Sequence, residues 1–293
     1  MANKSQEEGK LLDSLETEGD SRVNFLKEAL HIAREAGSVI ANVFQETKQN
    51  VQTKANCADL VTETDKAVEK LIFDYLRTKF PSHSFIGEES VSDGAMQCHL
   101  TENHTWVVDP IDGTMNFVHM NPNVAVSIGL AINKQTEVGV VYAPMLDQIY
   151  FGVRGHGSFL NGRRLSVSKS ITDISQALIA TEFGSRRDES VTTVCANIQN
   201  ILMKHKVGGI RCTGSAALNM CSVASGAVDL YYEWGPQCWD VCASHVIVHE
   251  AGGVTTDALG QNFDMMSRSY ICASNKHLIE QLVPSVTQIS LAQ

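Results

Sequence analysis

The sequence has little of what several large protein classes require. Its 293 residues carry 23 Lys and Arg against 33 Asp and Glu, a net charge of −10 at pH 7, so the basic surface of a nucleic-acid-binding protein is missing. No stretch approaches the roughly 18 apolar residues of a membrane span. The acidic N-terminus has no apolar core of a signal peptide. We therefore expect a cytoplasmic protein that binds neither nucleic acid nor membrane.

The chain also lacks a cysteine framework and a flexible linker. Its eight cysteines form no C-x-x-C pair, so free thiols are expected instead of a zinc cluster or disulfides. No Pro- or Gly-rich stretch separates two domains. We predict one domain over residues 22–285, in halves of about 22–160 and 161–285. A disordered extension (1–21) precedes it and a tail (286–293) follows.

The spacing of apolar residues predicts alternating helices and strands. The first predicted helix starts near residue 21. Four further helices are predicted over 64–80, 189–206, 215–225 and 240–251. The predicted strands cover 85–87, 106–108, 124–132, 138–142, 148–152, 157–160, 177–182, 209–212 and 270–273. Asn161-Gly162 is typical of a hairpin turn. Helices on both sides of sheets indicate a layered α/β or α+β fold.

Acidic residues at the ends of predicted strands are the main chemical signal. Glu88 follows one strand, Asp109 follows another, and Asp240 opens a helix. Singly, each has an ordinary interpretation: Asp240 as a helix N-cap, Asp109-Pro110 as a turn, and Glu88 as a solvated side chain.

Taken together, the acids point to metal ions. Asp109-Pro110-Ile111-Asp112-Gly113-Thr114 places two acids directly before a predicted helix start, where backbone N–H groups favour phosphate. Acids and a phosphate are compatible at one place only if cations lie between them. Oxygen ligands favour Mg²⁺ or Mn²⁺ over zinc.

These motifs resemble the inositol monophosphatase family, within the magnesium-dependent, lithium-sensitive phosphatases. The similar segments are Gly87-Glu88-Glu89-Ser90, 106–114 with Asn116-Phe117, Trp239-Asp240 and Glu250-Ala251-Gly252-Gly253, supported by 59–65, 80–86 and 124–129. The resemblance covers about residues 22–285. It implies an αβαβα sandwich of two sheets and flanking helices, sugar-phosphatase-like, and a homodimer.

The resemblance also implies a ligand set for the metals. Glu88, Asp109 and the carbonyl of Ile111 would hold one Mg²⁺, Asp109, Asp112 and Asp240 a second, and Glu88 a weaker third. Mn²⁺ would substitute, and Li⁺ would inhibit from a Mg²⁺ site. Thr114, hydrogen-bonded to Asp65, would orient the attacking water, so that Thr114, Asp65 and Glu88 are the catalytic residues.

Further positions follow from the same resemblance. The residues expected to contact substrate are Glu88, Ile111, Asp112, Gly113, Thr114, Gly214, Ser215, Ala216, Glu233 and Asp240. Glu89 would support the site from the opposite face of a strand, and Lys54 would lie near the metal and water. Met115 and Gln237 depart from the family pattern, where Thr and His are frequent.

The expected reaction is hydrolysis of myo-inositol monophosphates to inositol and phosphate, without a covalent intermediate. A related sugar or nucleotide phosphatase is the alternative, acting on galactose 1-phosphate, fructose 1,6-bisphosphate or adenosine 3′,5′-bisphosphate. His245 and His249 share a predicted helix face, but H-E-x-x-H is absent, which disfavours a zinc hydrolase. A serine or cysteine hydrolase and a Walker A protein lack their motifs. A non-catalytic relative would have a broken acid set.

Overall fold

Two β-sheets alternate with three layers of helices. The computed structural model describes residues 11, 12, 15, 20–49, 57–184 and 187–289. Lys54 and most of the N-terminal extension lie outside these residues, as does the end of the predicted tail, 290–293. No helix in the described part of the chain is long and apolar enough to cross a membrane.

The first sheet has seven strands in sequence order. They are β1 (Ser84–Gly87), β2 (Thr105–Asp112), β3 (Ala125–Ile132), β4 (Gln135–Ala143), β5 (Gln148–Val153), β6 (Gly157–Leu160) and β7 (Arg163–Arg164). Only the β1–β2 pair is parallel, and the rest form an antiparallel meander. Asn161 and Gly162 join β6 to β7 with positive φ at both residues, which confirms the predicted hairpin turn.

The second sheet has five strands in the order β11-β12-β10-β8-β9. They are β8 (Leu178–Thr181), β9 (Gly209–Arg211), β10 (Leu230–Trp234), β11 (Val254–Asp257) and β12 (Ser269–Ala273). Strands β8, β9 and β10 are parallel, and β12 runs antiparallel between β10 and β11.

Three pairs of longer helices cover the sheets. Helices α1 (Ser21–Gln49) and α2 (Cys57–Lys79) pack on the outer face of the first sheet. Helices α6 (Ala216–Ala224) and α7 (Cys238–Glu250) lie between the two sheets. Helices α5 (Ser190–His205) and α8 (Lys276–Leu282) cover the far face of the second sheet. This layering confirms the predicted αβαβα sandwich.

Helix α7 is buried on every side because it lies between the sheets. Ten of its residues are buried, from Cys238 to Val248. It approaches the first sheet so closely that a Cβ on Gly139 of β4 would lie 2.2 Å from the Ala243 carbonyl oxygen. The Ser127 hydroxyl on β3 donates to the Trp239 carbonyl at 3.0 Å. These contacts fix the first turn of α7, which carries Asp240, against the sheet that carries Asp109.

Several predicted boundaries were wrong. The second helix begins at Cys57 and not at residue 64, and β2 continues through Pro110 to Asp112 instead of ending at residue 108. Glu88 and Glu89 do not end a strand but begin α3 (Glu88–Ser92). Strand β11 was not predicted. It has four residues, Val254–Asp257, and only one of them is buried, so its sequence shows little of the apolar alternation that predicts a strand.

Candidate active site

An irregularity in β2 brings Asp109 and Asp112 to the same side of the sheet. In a regular strand, residues three apart point to opposite faces. Here Asp109 pairs with Ser127 and Asp112 pairs with Ala125, so β2 carries one residue more than β3 between those pairs. Such a bulge redirects side chains and tolerates Pro110 within a strand. Both carboxylates are buried.

Asp240 reaches the same place from the first turn of α7. It is the third residue of the helix, and its Oδ2 accepts the N–H of Gln237 at 2.6 Å. The Gln237 side chain binds the Asp240 N–H in return, which forms a capping box. Gln237, one of the two departures from the family pattern, therefore positions an acid of the cluster directly. Met115, the other, is 68% exposed.

Glu88 enters the cluster from the start of α3. The N–H groups of Glu89 and Ser90, in the first turn, donate to the Glu69 carboxylate at 2.8 and 2.9 Å. Glu69 is buried on α2 and thus caps the helix that begins with Glu88. Sequence reasoning missed Glu69; the only signal is an acid next to Val68 on the apolar side of α2.

The four acids form one group of charges. One carboxylate oxygen from each of Asp109, Asp112 and Asp240 lies within 4.8 Å of the others. Glu88 lies close enough to Asp240 and Asp112 for their charges to raise its pKa. The structure therefore brings together all four acids that the sequence singled out.

Burial raises the pKa of every acid in the group, and repulsion between the carboxylates adds to it for Glu88, Asp109 and Asp112. Burial and the neighbouring Asp240 charge raise the pKa of Glu88 to about 8 and that of Asp112 to about 7. The pKa of Asp109 is raised well above its usual range by burial and then by the charge of Glu88. Burial also raises the pKa of Asp240. Four carboxylates kept this close at neutral pH need either protons or cations.

The donor set fits a hard divalent cation. Every side chain in it offers oxygen, with no sulfur or nitrogen ligand among the described residues of the cluster. In addition, Asp65 Oδ1 is buried and has no hydrogen-bond partner. An acceptor of that kind is expected where a water or ion completes the site.

One predicted contact is absent. Thr114 was expected to hydrogen-bond Asp65, but its hydroxyl donates to the Ile111 carbonyl at 3.2 Å, and within the described ranges no bond joins it to Asp65. Thr114 opens the short helix α4 (Thr114–Val118), so its hydroxyl lies within reach of the carbonyl three residues earlier. Burial and the charges of Glu88 and Glu89 raise the pKa of Asp65 to about 8.

The predicted substrate loop, residues 214–216, contacts the acid cluster directly. The Ser215 hydroxyl donates to Asp112 Oδ2, as does the Ala217 N–H at 2.8 Å. Ser215 also caps α6 by accepting the Leu218 N–H at 3.2 Å. One hydroxyl thus links the start of a helix to a carboxylate of the cluster.

Replacing Ser215 by alanine is expected to destabilise the protein by about 1 kcal/mol, because the cap is lost. It should also raise the Mg²⁺ concentration for half-maximal activity by about 10-fold or more, because Asp112 loses a partner that orients it. Chemical denaturation and a Mg²⁺ titration measure the two effects. Thr at this position keeps the hydroxyl and is the matched control. An unchanged Mg²⁺ requirement in Ser215→Ala would contradict this role.

Gly214 lies where the two halves of the molecule meet. Its φ is +82°, and a Cβ there would lie 2.7 Å from the Asn116 amide nitrogen. That amide donates to the carbonyls of Thr213 and Asn123 at 2.7 and 2.8 Å. The contact ties α4, which follows Gly113, to the loop before α6.

Two further acids border the same loop. Glu233 on β10 is buried, accepts the Tyr231 hydroxyl, and has its pKa raised well above its usual range by burial. Glu182 was not predicted. Its Oε1 accepts the N–H groups of Thr213 and Gly214 and the Asn219 amide, at 2.6, 2.8 and 2.8 Å. Three donors converging on one oxygen shape the loop, and no motif in the sequence marks that residue.

The reason given for Glu89 was wrong, since Glu88 and Glu89 are neighbours on a helix and not on a strand. Glu89 nevertheless lies beside the cluster, because its charge raises the pKa of Glu88 and Asp65. Lys54 is outside the described residues.

The two histidines that could have indicated zinc have other partners. His245 Nδ1 lies 2.7 Å from the Thr255 hydroxyl, and the ring stacks on Phe263 at 3.8 Å. His249 is beside Glu250, whose carboxylate accepts the N–H groups of Gly155 and Gly157. Within the described ranges, these histidines join no group that could hold a metal.

A cluster of buried and half-buried carboxylates, beside a polar loop and a helix start, is an arrangement that could hold the divalent cations of a metal-assisted phosphatase. The inositol monophosphatase family model matches residues 22–291. Inositol monophosphatase 1 of Bos taurus is 48% identical over 264 residues, which are 90% of this chain and 94% of the relative.

Solved structures of inositol monophosphatases are similar to this chain as well. An inositol monophosphatase from Anabaena superposes with a TM-score of 0.79 at 31% identity, over 92% of this chain and 98% of that one. Inositol monophosphate bound SaIMPase-II has a TM-score of 0.70 at 28% identity, over 89% and 93%. The chain belongs to the inositol monophosphatase family. It is an inositol-phosphate phosphatase, a phosphoric monoester hydrolase.

Proposed function

We propose that this phosphatase hydrolyses myo-inositol monophosphates with Mg²⁺ held by the acid cluster. The observation that carries the proposal is the convergence of Asp109, Asp112 and Asp240, with Glu88 close enough for the Asp240 charge to raise its pKa. The relatives are named inositol monophosphatases, and SaIMPase-II has been crystallised with inositol monophosphate. We propose two to three ions per subunit, with Mn²⁺ as a substitute and Li⁺ as an inhibitor.

The ligands that we propose are those implied by the resemblance to the family. Glu88, Asp109 and the Ile111 carbonyl would hold one ion, Asp109, Asp112 and Asp240 a second, and Glu88 a third. Bound Mg²⁺ would neutralise the acids, bind phosphate oxygens and lower the pKa of a water.

The protein's own groups would orient the reactants. Asp65 Oδ1 is a buried, unpaired acceptor, suited to hold a proton of the attacking water. Thr114 lies one helical turn from the Ile111 carbonyl that it bonds, and its hydroxyl would turn toward Asp65 when that carbonyl binds metal. The N–H groups of Gly113 and Thr114 would donate to phosphate oxygens that become more negative in the transition state.

The sugar ring would lie against the loop of Gly214, Ser215 and Ala216, with Glu233 accepting from its hydroxyls. Glu233 is already close enough to Asp240 and Asp112 for their charges to raise its pKa. A carboxylate there favours hydroxyl groups and repels a second phosphate. We therefore propose a monophosphate substrate in preference to a bisphosphate.

The test is kcat/KM on a substrate panel with Mg²⁺ present. The panel holds myo-inositol monophosphates, galactose 1-phosphate, a 2′-nucleotide, fructose 1,6-bisphosphate and adenosine 3′,5′-bisphosphate. We expect inositol monophosphates to be preferred, and Glu233→Gln to reduce that preference by about 10-fold, because a neutral amide accepts more weakly from hydroxyls than a carboxylate. A bisphosphate preferred by the unmodified enzyme would contradict the proposal. Glu280→Gln, an exposed change on α8, is the control.

By resemblance to the family, we further propose a homodimer that works in the cytoplasm. Light scattering of the purified protein should give twice the mass of one 32.0 kDa chain. A single-chain mass at micromolar concentration would contradict the dimer.

A further inference from the structure

Two thiols from distant parts of the chain meet beside the acid cluster. Cys98 Sγ and Cys238 Sγ lie 3.6 Å apart, although 140 positions separate the residues. Cys238 is the first residue of α7 and is buried, whereas Cys98 is half-buried in the segment between α3 and β2. Cys98 is therefore the more accessible residue of the pair for a small reagent.

We propose that Cys98 and Cys238 form a redox modification site, at which a peroxide joins the two sulfurs in a disulfide and thereby weakens Mg²⁺ binding. The weakening of Mg²⁺ binding rests on the metal site proposed above. Formation of the disulfide does not, since it concerns only the two sulfurs.

The chemistry balances with hydrogen peroxide as the oxidant. The Cys98 thiolate attacks one peroxide oxygen, the O–O bond breaks, and Cys98 becomes a sulfenic acid while the other oxygen leaves as water. The Cys238 sulfur then attacks the Cys98 sulfur, the S–S bond forms, and the S–O bond breaks with loss of a second water. Two thiols are oxidised and one peroxide is reduced to two waters.

The surroundings favour Cys98 as the attacking sulfur. Its hydrogen bond with Cys238 and the positive charge of Arg268 lower the pKa of Cys98 to about 7. Arg268 is held nearby, since its guanidinium donates to the Gly235 carbonyl at 3.2 Å, and the Gly235 N–H donates to the Arg268 carbonyl at 2.8 Å. The thiolate is the form of cysteine that reacts with peroxide.

Forming the disulfide requires a movement that would displace ligands of the proposed metal site. A disulfide has its sulfurs about 2.05 Å apart, so about 1.5 Å must be lost from the present separation. Cys238 lies in the first turn of α7, two residues before Asp240, and next to Gln237, whose N–H binds Asp240. On the other side, Cys98 follows the short helix that begins with Glu88.

Mg²⁺ is sensitive to such a displacement, because it demands near-octahedral geometry with oxygens at about 2.0–2.1 Å. Pulling the first turn of α7 toward Cys98 moves Asp240 relative to Asp109 and Asp112 on β2. We expect the oxidised protein to need at least 10-fold more Mg²⁺ for half-maximal activity. Reduction with a dithiol should restore the original requirement.

The experiment treats the full-length protein with hydrogen peroxide, removes the excess with catalase, and measures three quantities. Intact mass should fall by about 2 Da, the mass of the two hydrogens lost. Non-reducing peptide mapping should find a Cys98–Cys238 peptide, and thiol titration of the unfolded protein should count two fewer than the eight cysteines of the sequence. The Mg²⁺ requirement is measured before oxidation, after it, and after reduction.

Variants distinguish the pair from other thiols. Cys98→Ala and Cys98→Ser should keep the basal activity and lose the response to peroxide. Two variants are used because Cys98 packs against the core, and one of them could fold poorly. Cys195→Ala, at an exposed cysteine on α5, should respond as the unmodified protein does.

Each alternative result has a meaning. Oxidation of Cys98 to a sulfinic acid without the linked peptide overturns the disulfide, and so does an equal loss of activity in Cys98→Ala. A linked peptide with an unchanged Mg²⁺ requirement overturns the effect on the metal site. An untreated enzyme whose activity is independent of Mg²⁺ would instead overturn the proposed function, while the mass and the mapping still decide whether the disulfide forms.

Discussion

Replacing Asp109 by asparagine is expected to lower kcat/KM on a myo-inositol monophosphate by on the order of 10³-fold or more, and to stabilise the metal-free protein. The activity falls because Asp109 is the proposed ligand shared by two ions. It lies at the β2 bulge, where its Oδ1 accepts the Ile111 N–H at 3.0 Å. A neutral amide of the same shape keeps the fold but removes one charge of the site.

The same substitution should raise the Tm of the metal-free protein at pH 8 by about 2 °C or more. Asp109 is 2% exposed and lies among three other acids, so removing its charge relieves repulsion. Sites built for ligands often cost the empty protein stability. Asp74→Asn is the control, because Asp74 is exposed on α2 and pairs with Lys70.

Asp109→Asn is expected to lower the activity and to raise the Tm of the metal-free protein, and this combination distinguishes it from a misfolded variant. A variant that loses activity because it unfolds would show a lower Tm, not a higher one. Wild-type turnover in Asp109→Asn would contradict the role of Asp109 as a ligand. A metal-free Tm below that of the unmodified protein would contradict the repulsion argument.

The second expected result is that Mg²⁺ stabilises the protein more at pH 8 than at pH 6. The acids of the cluster have raised pKa values in the folded protein, about 8 for Glu88 and about 7 for Asp112. Their contribution to stability is fully present below their unfolded pKa values, near 4, and is lost as pH rises through the folded ones. Without metal, this contribution therefore declines between about pH 4 and pH 8.

Bound Mg²⁺ should remove most of that decline, since it favours the ionised carboxylates and displaces their protons. Melting curves at pH 6, 7 and 8, with EDTA or with excess Mg²⁺, measure the difference. The shift in Tm that Mg²⁺ causes should grow with pH in the unmodified protein and grow less in Asp109→Asn. A shift that is constant or shrinks with pH would contradict the assignment of these acids.

The acids could be named from the sequence, but their arrangement could not. Asp109 and Asp112 are three positions apart, and strand periodicity alone would place them on opposite faces. The extra residue in β2 reverses that, and it becomes visible only in the pairing with β3. The predicted strand had ended before Asp109, because Pro110 is typical of a turn or a strand end.

Side chains that support the site from a distance were also missed. Glu69 caps the helix that begins with Glu88, and Glu182 gathers three donors of the loop before α6. Neither Glu69 nor Glu182 belongs to a local motif, because the groups that each residue binds are more than 19 positions away in the chain. Local periodicity predicts which face of a helix is buried, but not which distant backbone groups need an acceptor.

The layered fold was easier to predict, because it depends on local patterns. The apolar spacing of α1 and the hairpin at Asn161-Gly162 were recognisable without knowledge of tertiary contacts. The early start of α2 was not. Residues 57–63 carry three acidic or hydroxyl side chains, and the apolar periodicity becomes clear only from Val68 onward.

The most direct test of the central claim is anomalous diffraction from crystals of the protein grown with Mn²⁺. We predict one peak bonded to Asp109, Asp112 and Asp240, and another bonded to Glu88, Asp109 and the Ile111 carbonyl, both absent in Asp109→Asn. Crystals that diffract well, contain millimolar Mn²⁺ and show no peak within bonding distance of these carboxylates would contradict the account.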